Sequence, residues 1–226
     1  MPVYQLTEKI LFPPPELAEE NGLLAIGGDL STERLLLAYS QGIFPWYAAG
    51  EPLLWWCPSP RLVIFPDEFK VSSRLARFIK QQKYEVTMDH AFQQVITGCA
   101  SAADRQDKGT WIDDDMIEAY TLLHEMGYAH SVECWMDDEL AGGLYGIALG
   151  KIFFGESMFS RQSNASKVAF VYLAEKLLER GFDLIDCQLK TEHLMQFGAR
   201  EIPGAEFQDL LAKSVDFTNR NKWLDA

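Results

Sequence analysis

The sequence lacks paired cysteines, long apolar runs and an N-terminal targeting pattern. Its four cysteines, Cys57, Cys99, Cys134 and Cys187, lie far apart and form no C-x-x-C pair, so neither a disulfide framework nor a structural zinc site is indicated. No apolar run reaches the length of about eighteen residues that a membrane span needs, and no basic segment precedes an apolar one at the start. We therefore expect a cytoplasmic protein without a membrane partner.

Positive charge is also scarce. The chain of 226 residues has 20 Lys and Arg against 33 Asp and Glu, which gives a formal net charge of −13. Such a charge repels polyanions unless basic residues are concentrated locally. They are concentrated in residues 70–83, KVSSRLARFIKQQK, which contain five basic residues and no acidic one.

This basic segment predicts an amphipathic helix capped by Ser72 or Ser73. One face would consist of Leu75, Phe78, Ile79 and Gln82, and another of Arg74, Arg77 and Lys80 with Gln81. The basic face is either solvated or a surface for nucleic acid, and the sequence alone leaves both readings open.

Residues 130–199 have the element order of an α+β domain. Three strand-like runs, with turns at residues 137–138 and 150–151, predict an antiparallel meander. Residues 163–180 then show the i, i+3, i+4 apolar spacing of a helix, and residues 182–189 predict a buried strand before a shorter helix. The order resembles the acyltransferase core of the GNAT superfamily, so the expected fold is α+β with a GNAT-like catalytic domain.

The loop before the predicted long helix departs from the GNAT pattern, in which an R/Q-x-x-G-x-G/A loop binds the pyrophosphate of CoA. Residues 161–167, RQSNASK, keep Arg161 and a small residue at Ser166 but have Asn164 where the first glycine belongs. A helix N-terminus still suits an anion, yet the Asn164 side chain would crowd a pyrophosphate. We therefore expect acyl transfer without CoA and assign no cofactor.

The first half is less regular and predicts a small N-terminal α/β region. A Gly-Gly turn leads to an amphipathic helix capped by Ser31. Residues 42–61, GIFPWYAAGEPLLWWCPSPR, then place three of the six tryptophans in a stretch broken by four prolines. No linker separates the halves, so we expect an N-terminal domain of residues 1–62 packed on a catalytic domain of residues 63–226.

No metal or nucleophile motif is complete. His124 and Glu125 begin the H-E-x-x-H pattern of zinc peptidases, but Tyr128 stands in place of the second histidine. GESMF, from Gly155, lacks the closing glycine of a G-x-S-x-G nucleophile elbow. We therefore expect no bound metal and no serine hydrolase.

Polar side chains interrupt two strands that are otherwise apolar. Glu156 lies in IFFGESMF, and period-2 alternation in LIDCQ places Asp186 and Gln188 on one strand face, where they could share a hydrogen bond. Such a pair either fixes the register of the sheet or serves chemistry, because an ionised carboxylate in an apolar sheet is costly.

Several motifs in a fixed order resemble one family. NGLLAIGGDLS, GIFPW, LLWWCPSPR, GTWI, GESMFS, NASK and LIDCQ follow one another over residues 21–188 as in bacterial leucyl/phenylalanyl-tRNA–protein transferases, and the resemblance extends over about residues 11–203. The resemblance implies a cytoplasmic enzyme that takes leucine or phenylalanine from leucyl-tRNA or phenylalanyl-tRNA, with methionine as a further candidate. It would join that amino acid to a protein with an N-terminal arginine or lysine and so mark the protein for N-degron-dependent proteolysis.

The resemblance also implies catalytic roles. Asp186 would polarise Gln188, whose carbonyl oxygen accepts a hydrogen bond from the attacking α-amine, while Glu156 attracts the cationic acceptor. An ester to tRNA is already activated, so its aminolysis mainly needs the amine held close and uncharged.

Binding residues are implied in the same way. Trp46 and Trp111 would stack on the terminal adenosine, whereas Trp55 and Trp56 are expected to be structural. The pocket for the donor side chain would be lined by Leu144, Phe153, Met158, Phe170, Leu173 and Ile185. The tRNA acceptor stem would contact Arg74, Arg77, Lys80 and Lys83.

Two other functions share some of these features. A CoA-dependent N-acyltransferase of small molecules or peptides would use the same fold without RNA. A non-catalytic tRNA-binding module would keep Trp46, Trp111 and the basic helix but would have no need of Glu156, Asp186 or Gln188.

Overall fold

Two β-sheets of unequal size organise the part of the chain that the structure, a computed structural model, describes: residues 3–48, 50–102 and 112–217. The small sheet consists of β1 (Tyr4–Leu6), β2 (Leu23–Gly27), β3 (Phe44–Pro45) and β4 (Leu54–Trp56). Its strand order is β1-β2-β4-β3. The first two strands run parallel, and the other neighbours are antiparallel.

The large sheet carries most of the chain. Its seven strands are β5 (Arg61–Ile64), β6 (Glu85–Met88), β7 (Ala129–Met136), β8 (Glu139–Leu149), β9 (Ile152–Ser160), β10 (Leu184–Gln188) and β11 (Arg200–Ile202), in the order β11-β5-β10-β9-β8-β7-β6. Only β9 and β10 are parallel neighbours. The small sheet ends before β5 begins, and the domain boundary near residue 62 stays a prediction.

The described residues form helices on both faces of the large sheet. They are α1 (Thr32–Ser40), α2 (Ser73–Ile79), α3 (Phe92–Ala100), α4 (Asp114–Glu125), α5 (Ala165–Glu179), α6 (Glu192–Met195) and α7 (Gly204–Ser214). The meander, α5, β10 and α6 follow one another as the sequence predicts, so the α+β class and the GNAT-like order are confirmed. None of the helices described here is long and apolar enough to cross a membrane.

The basic helix α2 is shorter than predicted. The Ser72 hydroxyl caps it by accepting the Leu75 N–H at 3.3 Å. The helix ends at Ile79, because the N–H of Gln82 closes the last turn on the Ile79 carbonyl at 2.9 Å and Gln82 then takes a left-handed φ of 49°. Gln82 therefore does not continue the apolar face, and Lys83 lies beyond the helix.

Hydrophobic cores fill both faces of the large sheet. One core lies beneath α5. The other joins the two sheets, since Leu24 and Trp55 of the small sheet belong to the same buried cluster as Tyr145 and Phe154 of the large sheet. The N-terminal region therefore packs against the rest of the chain through a shared core.

Candidate active site

An apolar cavity of about 460 Å³ lies beside β9 and β10. These strands pair in parallel only as far as Asp186 opposite Phe154, and beyond that point Glu156 and Gln188 line the cavity. All six residues predicted for the donor side chain lie on its wall: Leu144, Phe153, Met158, Phe170, Leu173 and Ile185. Sequence reasoning therefore located the wall, and ligand contact by these residues stays a prediction.

Glu156 projects from a β-bulge in β9. Tyr145 of β8 pairs with Ser157, but the next residue, Gly146, pairs with Gly155, so Glu156 is the extra residue of β9. A bulge bends its strand and re-aims a side chain. Glycine is required at position 146, because a Cβ there would lie 2.3 Å from a backbone oxygen of β9.

A second bulge redirects Gln188. Asp186 pairs with Val63 of β5, and Gln188 pairs with Leu62, so Cys187 is the extra residue. Gln188 has a left-handed φ of 54° and lines the cavity together with Cys187, whereas Asp186 does not line it. The predicted shared face of Asp186 and Gln188 is wrong, because strict alternation holds only in a strand without a bulge.

Asp186 lies inside the sheet, paired with Arg61. The two residues are 0% and 1% exposed, and the guanidinium donates from Nε to Oδ1 at 2.8 Å and from Nη2 to Oδ2 at 2.7 Å. Oδ1 also accepts the backbone N–H of Gln188 at 3.0 Å. This backbone contact replaces the predicted hydrogen bond between the two side chains, so Asp186 holds the bulge in place.

Arg61 is a functional residue that the sequence reasoning missed. Its guanidinium carbon lies 4.9 Å from the ring centroid of Phe44 and 4.7 Å from that of Phe207. Burial alone would lower the pKa of Arg61, but the neighbouring Asp186 raises it overall, so Arg61 keeps its charge. The signal available in the sequence was a charged residue at the start of the apolar run RLVI, the same kind of signal that selected Asp186.

Glu156 is the carboxyl group of the cavity wall. Its Oε1 accepts from Nε2 of Gln188 at 3.4 Å, and its Oε2 accepts from the Tyr120 hydroxyl at 3.3 Å. Burial raises the pKa of Glu156 to about 8; hydrogen bonds from Tyr39 and Tyr120 oppose this shift, and the charge of Asp186 adds to it. Glu156 therefore titrates in the same range as an α-amine, whose ordinary pKa is about 7.7–8.0.

Tyr39 of α1 and Tyr120 of α4 hold Glu156 from within the core. Both side chains are fully buried, and their hydroxyls are hydrogen-bonded to each other. Burial and the charge of Glu156 raise the pKa of both tyrosines well above the ordinary value, so both remain protonated donors. No local pattern predicts this pair, because the two residues lie 81 positions apart.

Trp46 lies at the rim of the cavity with 42% of its surface exposed. Trp56 supports it, with ring centroids 5.7 Å apart and with Nε1 of Trp56 donating to the Trp46 carbonyl at 2.6 Å. Trp55 is 0% exposed and donates to the Gly27 carbonyl at 2.8 Å. Stacking of Trp46 on adenosine stays a prediction, and the predicted Trp111 lies outside the described residues.

The predicted basic residues lie away from the cavity wall. Arg74 and Arg77 line a separate cleft, which Lys80 and Lys83 do not line. Nζ of Lys83 instead lies 5.6 Å from the ring centroid of Phe78. The structure therefore divides the predicted set into two pairs.

This arrangement suits acyl transfer to an amine. The apolar wall can hold an aliphatic or aromatic side chain, and Glu156 with Gln188 can bind an amine and accept its proton. In the described ranges, no group of three or more His, Cys, Asp or Glu side chains is placed to bind a metal ion. Fold and site together define an acyltransferase.

Comparison with known proteins names the family. A family model described as leucyl/phenylalanyl-tRNA protein transferase matches residues 63–212, and the model of its N-terminal domain matches residues 28–59. A leucyl/phenylalanyl-tRNA–protein transferase of Desulfatibacillum aliphaticivorans is 54% identical, covering 99% of this chain and 96% of its own length. Another, from Syntrophobacter fumaroxidans, is 56% identical and covers 95% of this chain and 92% of its own length. The chain belongs to the leucyl/phenylalanyl-tRNA–protein transferase family of aminoacyltransferases.

Solved structures show looser likenesses. The structure of L-PGS from Bacillus licheniformis is 12% identical, covers 89% of this chain and 62% of that chain, and has a TM-score of 0.43. The structure of a ribosomal-protein-alanine N-acetyltransferase of Brucella melitensis is 14% identical, covers 59% of this chain and 94% of that chain, and has a TM-score of 0.35.

Proposed function

We propose that this chain transfers leucine or phenylalanine from leucyl-tRNA or phenylalanyl-tRNA to the N-terminal arginine or lysine of acceptor proteins in the cytoplasm. Methionine is a further candidate donor. The new N-terminus marks the acceptor for proteolysis. The observation that supports the proposal is the cavity of about 460 Å³, which places an apolar wall beside the Glu156–Gln188 pair.

The reaction exchanges an ester for an amide. The α-nitrogen of the acceptor bonds to the carbonyl carbon of the aminoacyl group, and the bond from that carbon to the ribose oxygen breaks. An α-ammonium loses two protons on this path: Glu156 takes one, and the other leaves with the ribose oxygen. Gln188 donates its amide N–H to Glu156, which leaves the Gln188 carbonyl oxygen to accept from the amine.

The parts of the two substrates fit regions of different charge. The net charge of −13 favours a cationic N-terminus over an acidic one, and Glu156 adds to this preference where it is ionised, near and above pH 8. The acceptor stem of the donor tRNA is proposed to meet the basic residues Arg74, Arg77, Lys80 and Lys83, whose phosphate contacts would weaken with salt.

One assay tests the proposed function against its alternatives. The protein is incubated with labelled leucyl-tRNA and a peptide that begins with arginine, without CoA. We expect label in the peptide, and no label in a matched peptide that begins with aspartate. Transfer that requires CoA would indicate the N-acyltransferase, and RNA binding without transfer would indicate the binding module.

Trp46→Ala is expected to weaken binding of the aminoacyl-adenosine end of the donor by about 1–3 kcal/mol, the range for one stacked base. Trp46→Phe keeps an aromatic face and should retain most of the affinity. Titration of each variant with phenylalanyl-adenosine, followed by calorimetry, measures the difference. Equal affinity of the alanine and phenylalanine variants would remove Trp46 from the adenosine site.

A further inference from the structure

A polar cleft of about 710 Å³ lies between α2 and the loop that precedes α5. Three cationic side chains line it, Arg74 and Arg77 from α2 and Lys167 from α5, and none of its lining residues is acidic. In a chain with a net charge of −13, this is a strong local reversal of charge. A cleft with one sign of charge attracts ligands of the opposite sign.

The three cations have no competing carboxylate. The ion pairs formed within residues 3–48, 50–102 and 112–217 involve none of them. Arg77 donates from Nε to the Ser73 carbonyl at 3.3 Å, a contact that leaves its charge uncompensated. All three charges are therefore available to an anion.

The loop beside Lys167 has a fixed backbone shape. Asn164 takes a left-handed φ of 66°, a conformation that asparagine tolerates better than most residues other than glycine. Ser160 Oγ accepts the N–H of Ser166 at 2.9 Å, and the Tyr84 hydroxyl donates to the Ser163 carbonyl at 2.8 Å. Asn164 thus adopts a backbone conformation that glycine takes readily.

The cleft adjoins the cavity wall. His193 lines the cavity and Phe197 lines the cleft, and their rings meet edge to face with centroids 5.5 Å apart. Lys167 lines the same cleft as Phe197, and burial, and after it the charge of Lys167, lowers the pKa of His193. A polymer whose last unit occupies the cavity can therefore continue into the cleft.

We propose that this cleft binds the phosphodiester groups of the donor RNA just upstream of its terminal adenosine, with Lys167 facing Arg74 and Arg77 across the strand. The inference rests on the proposed function and adds Lys167 to it. It also assigns Arg74 and Arg77 to the single strand next to the stem and leaves Lys80 and Lys83, which do not line the cleft, to the stem itself. The loop that holds a pyrophosphate in the GNAT pattern serves here as a contact for RNA phosphates. Single-stranded RNA is favoured over CoA because the chain of phosphates continues from the aminoacylated end, whereas the Asn164 side chain crowds a compact pyrophosphate.

The test compares donors with and without phosphates. One donor is a phenylalanylated RNA hairpin with a single-stranded 3′ end, and the other is phenylalanyl-adenosine, which has no phosphate. Lys167→Gln is expected to lower kcat/KM for the hairpin about three- to tenfold at low salt and to leave transfer from phenylalanyl-adenosine unchanged. The slope of log affinity for the hairpin against log salt should become shallower by about 0.7, the value for one lost contact with a single strand.

Lys176 provides the matched control. It lies on the same helix, pairs with Glu179 at 2.6 Å and does not line the cleft. Lys176→Gln should leave kcat/KM for both donors and the salt slope unchanged. An equal loss of kcat/KM for the hairpin in Lys167→Gln and Lys176→Gln would show that any lost positive charge has this effect, and would overturn the proposal.

Three further results would overturn the proposal. They are an unchanged hairpin reaction in Lys167→Gln, an equal loss with phenylalanyl-adenosine, and competition of CoA with the hairpin that depends on Lys167. Failure of the proposed function has a different signature, because the unaltered protein would then transfer from neither donor to the arginine peptide.

Discussion

Replacing Arg61 with alanine is expected to lower the free energy of unfolding by about 3–5 kcal/mol, the range for breaking a buried ion pair. Asp186 would remain as a charge inside the sheet without its bidentate partner. Asp186→Ala should have a similar effect, because it leaves the Arg61 guanidinium unpaired in the core. Chemical denaturation at pH 7, monitored by far-UV circular dichroism, measures the free energy of unfolding of both variants.

An apolar double variant separates the effect of charge from that of packing. Arg61→Met combined with Asp186→Leu removes both charges at similar volume, and replacements of this kind are often neutral or stabilising. We expect this variant to recover most of the stability that either single alanine variant loses. A double variant as unstable as the single ones would show that the shape of the pair, rather than its charge balance, matters to the fold.

Transfer should not recover in the double variant. Without the Asp186 carboxylate, the N–H of Gln188 loses the acceptor that it contacts at 3.0 Å, and the bulge that aims Gln188 at the cavity loses a support. We expect the transfer rate to fall by up to about 100-fold, as a small misplacement of a reacting group can cause. A stable double variant with a normal rate would limit Asp186 to a role in folding.

Sequence patterns predicted the elements whose signals lie close together in the chain. The turns at residues 137–138 and 150–151 fix the meander, and apolar spacing with the stop at Gly181 defines α5. The cavity wall was predicted as well, because its residues lie on these elements and the motifs GESMFS and LIDCQ mark its polar side. Local pattern and a family resemblance were therefore sufficient for the scaffold and for part of the wall.

The sequence could not predict how the polar residues meet. Bulges at Glu156 and Cys187 change which face a side chain takes, and alternation carries no sign of a bulge. The partner of Asp186 is Arg61, 125 positions away, and single-residue patterns do not encode such a pair. Asp186 was consequently expected to share a strand face and a side-chain hydrogen bond with Gln188, whereas it accepts the backbone N–H of Gln188 from inside the sheet.

Bulges and buried pairs also explain why this site needs a large supporting core. Gln188 depends on Asp186, and Asp186 depends on Arg61, which packs between Phe44 and Phe207. Phe44 belongs to the small sheet, so a residue of the N-terminal region supports the catalytic geometry. The shared core between the two sheets therefore contributes to the site as well as to stability.

Glu156→Gln is the second substitution with a large expected effect, a fall in the transfer rate of about 100- to 10,000-fold. Glutamine can still meet Tyr120 and Gln188 but cannot take a proton from the α-ammonium. Single-turnover transfer from labelled leucyl-tRNA measures the rate. A loss below tenfold would leave Glu156 with a binding role only.

The same substitution should raise stability in a way that depends on pH. Glu156 has a pKa of about 8 in the folded protein against an ordinary pKa of 4.5, so between these values the folded state binds the proton that the unfolded state has lost. The wild-type protein therefore loses stability as pH rises from about 4.5 to 8. Glu156→Gln avoids this loss, and its advantage over the wild type should grow by on the order of 3 kcal/mol over that range. An advantage that does not change with pH would contradict the raised pKa.

The pH dependence of kcat/KM tests whether the reaction uses an ionised Glu156 together with the α-ammonium of the acceptor. If Glu156 takes the proton, the free enzyme must hold the ionised carboxylate and the free acceptor must hold its α-ammonium. Because both groups titrate near pH 8, the wild-type profile should be bell-shaped, with its maximum near pH 8. In Glu156→Gln the reaction needs only the neutral amine, so kcat/KM should rise with pH and then level off. A wild-type profile that rises and levels off in the same way would show that the reaction does not use the ionised Glu156 together with the α-ammonium, and would assign the proton to another acceptor.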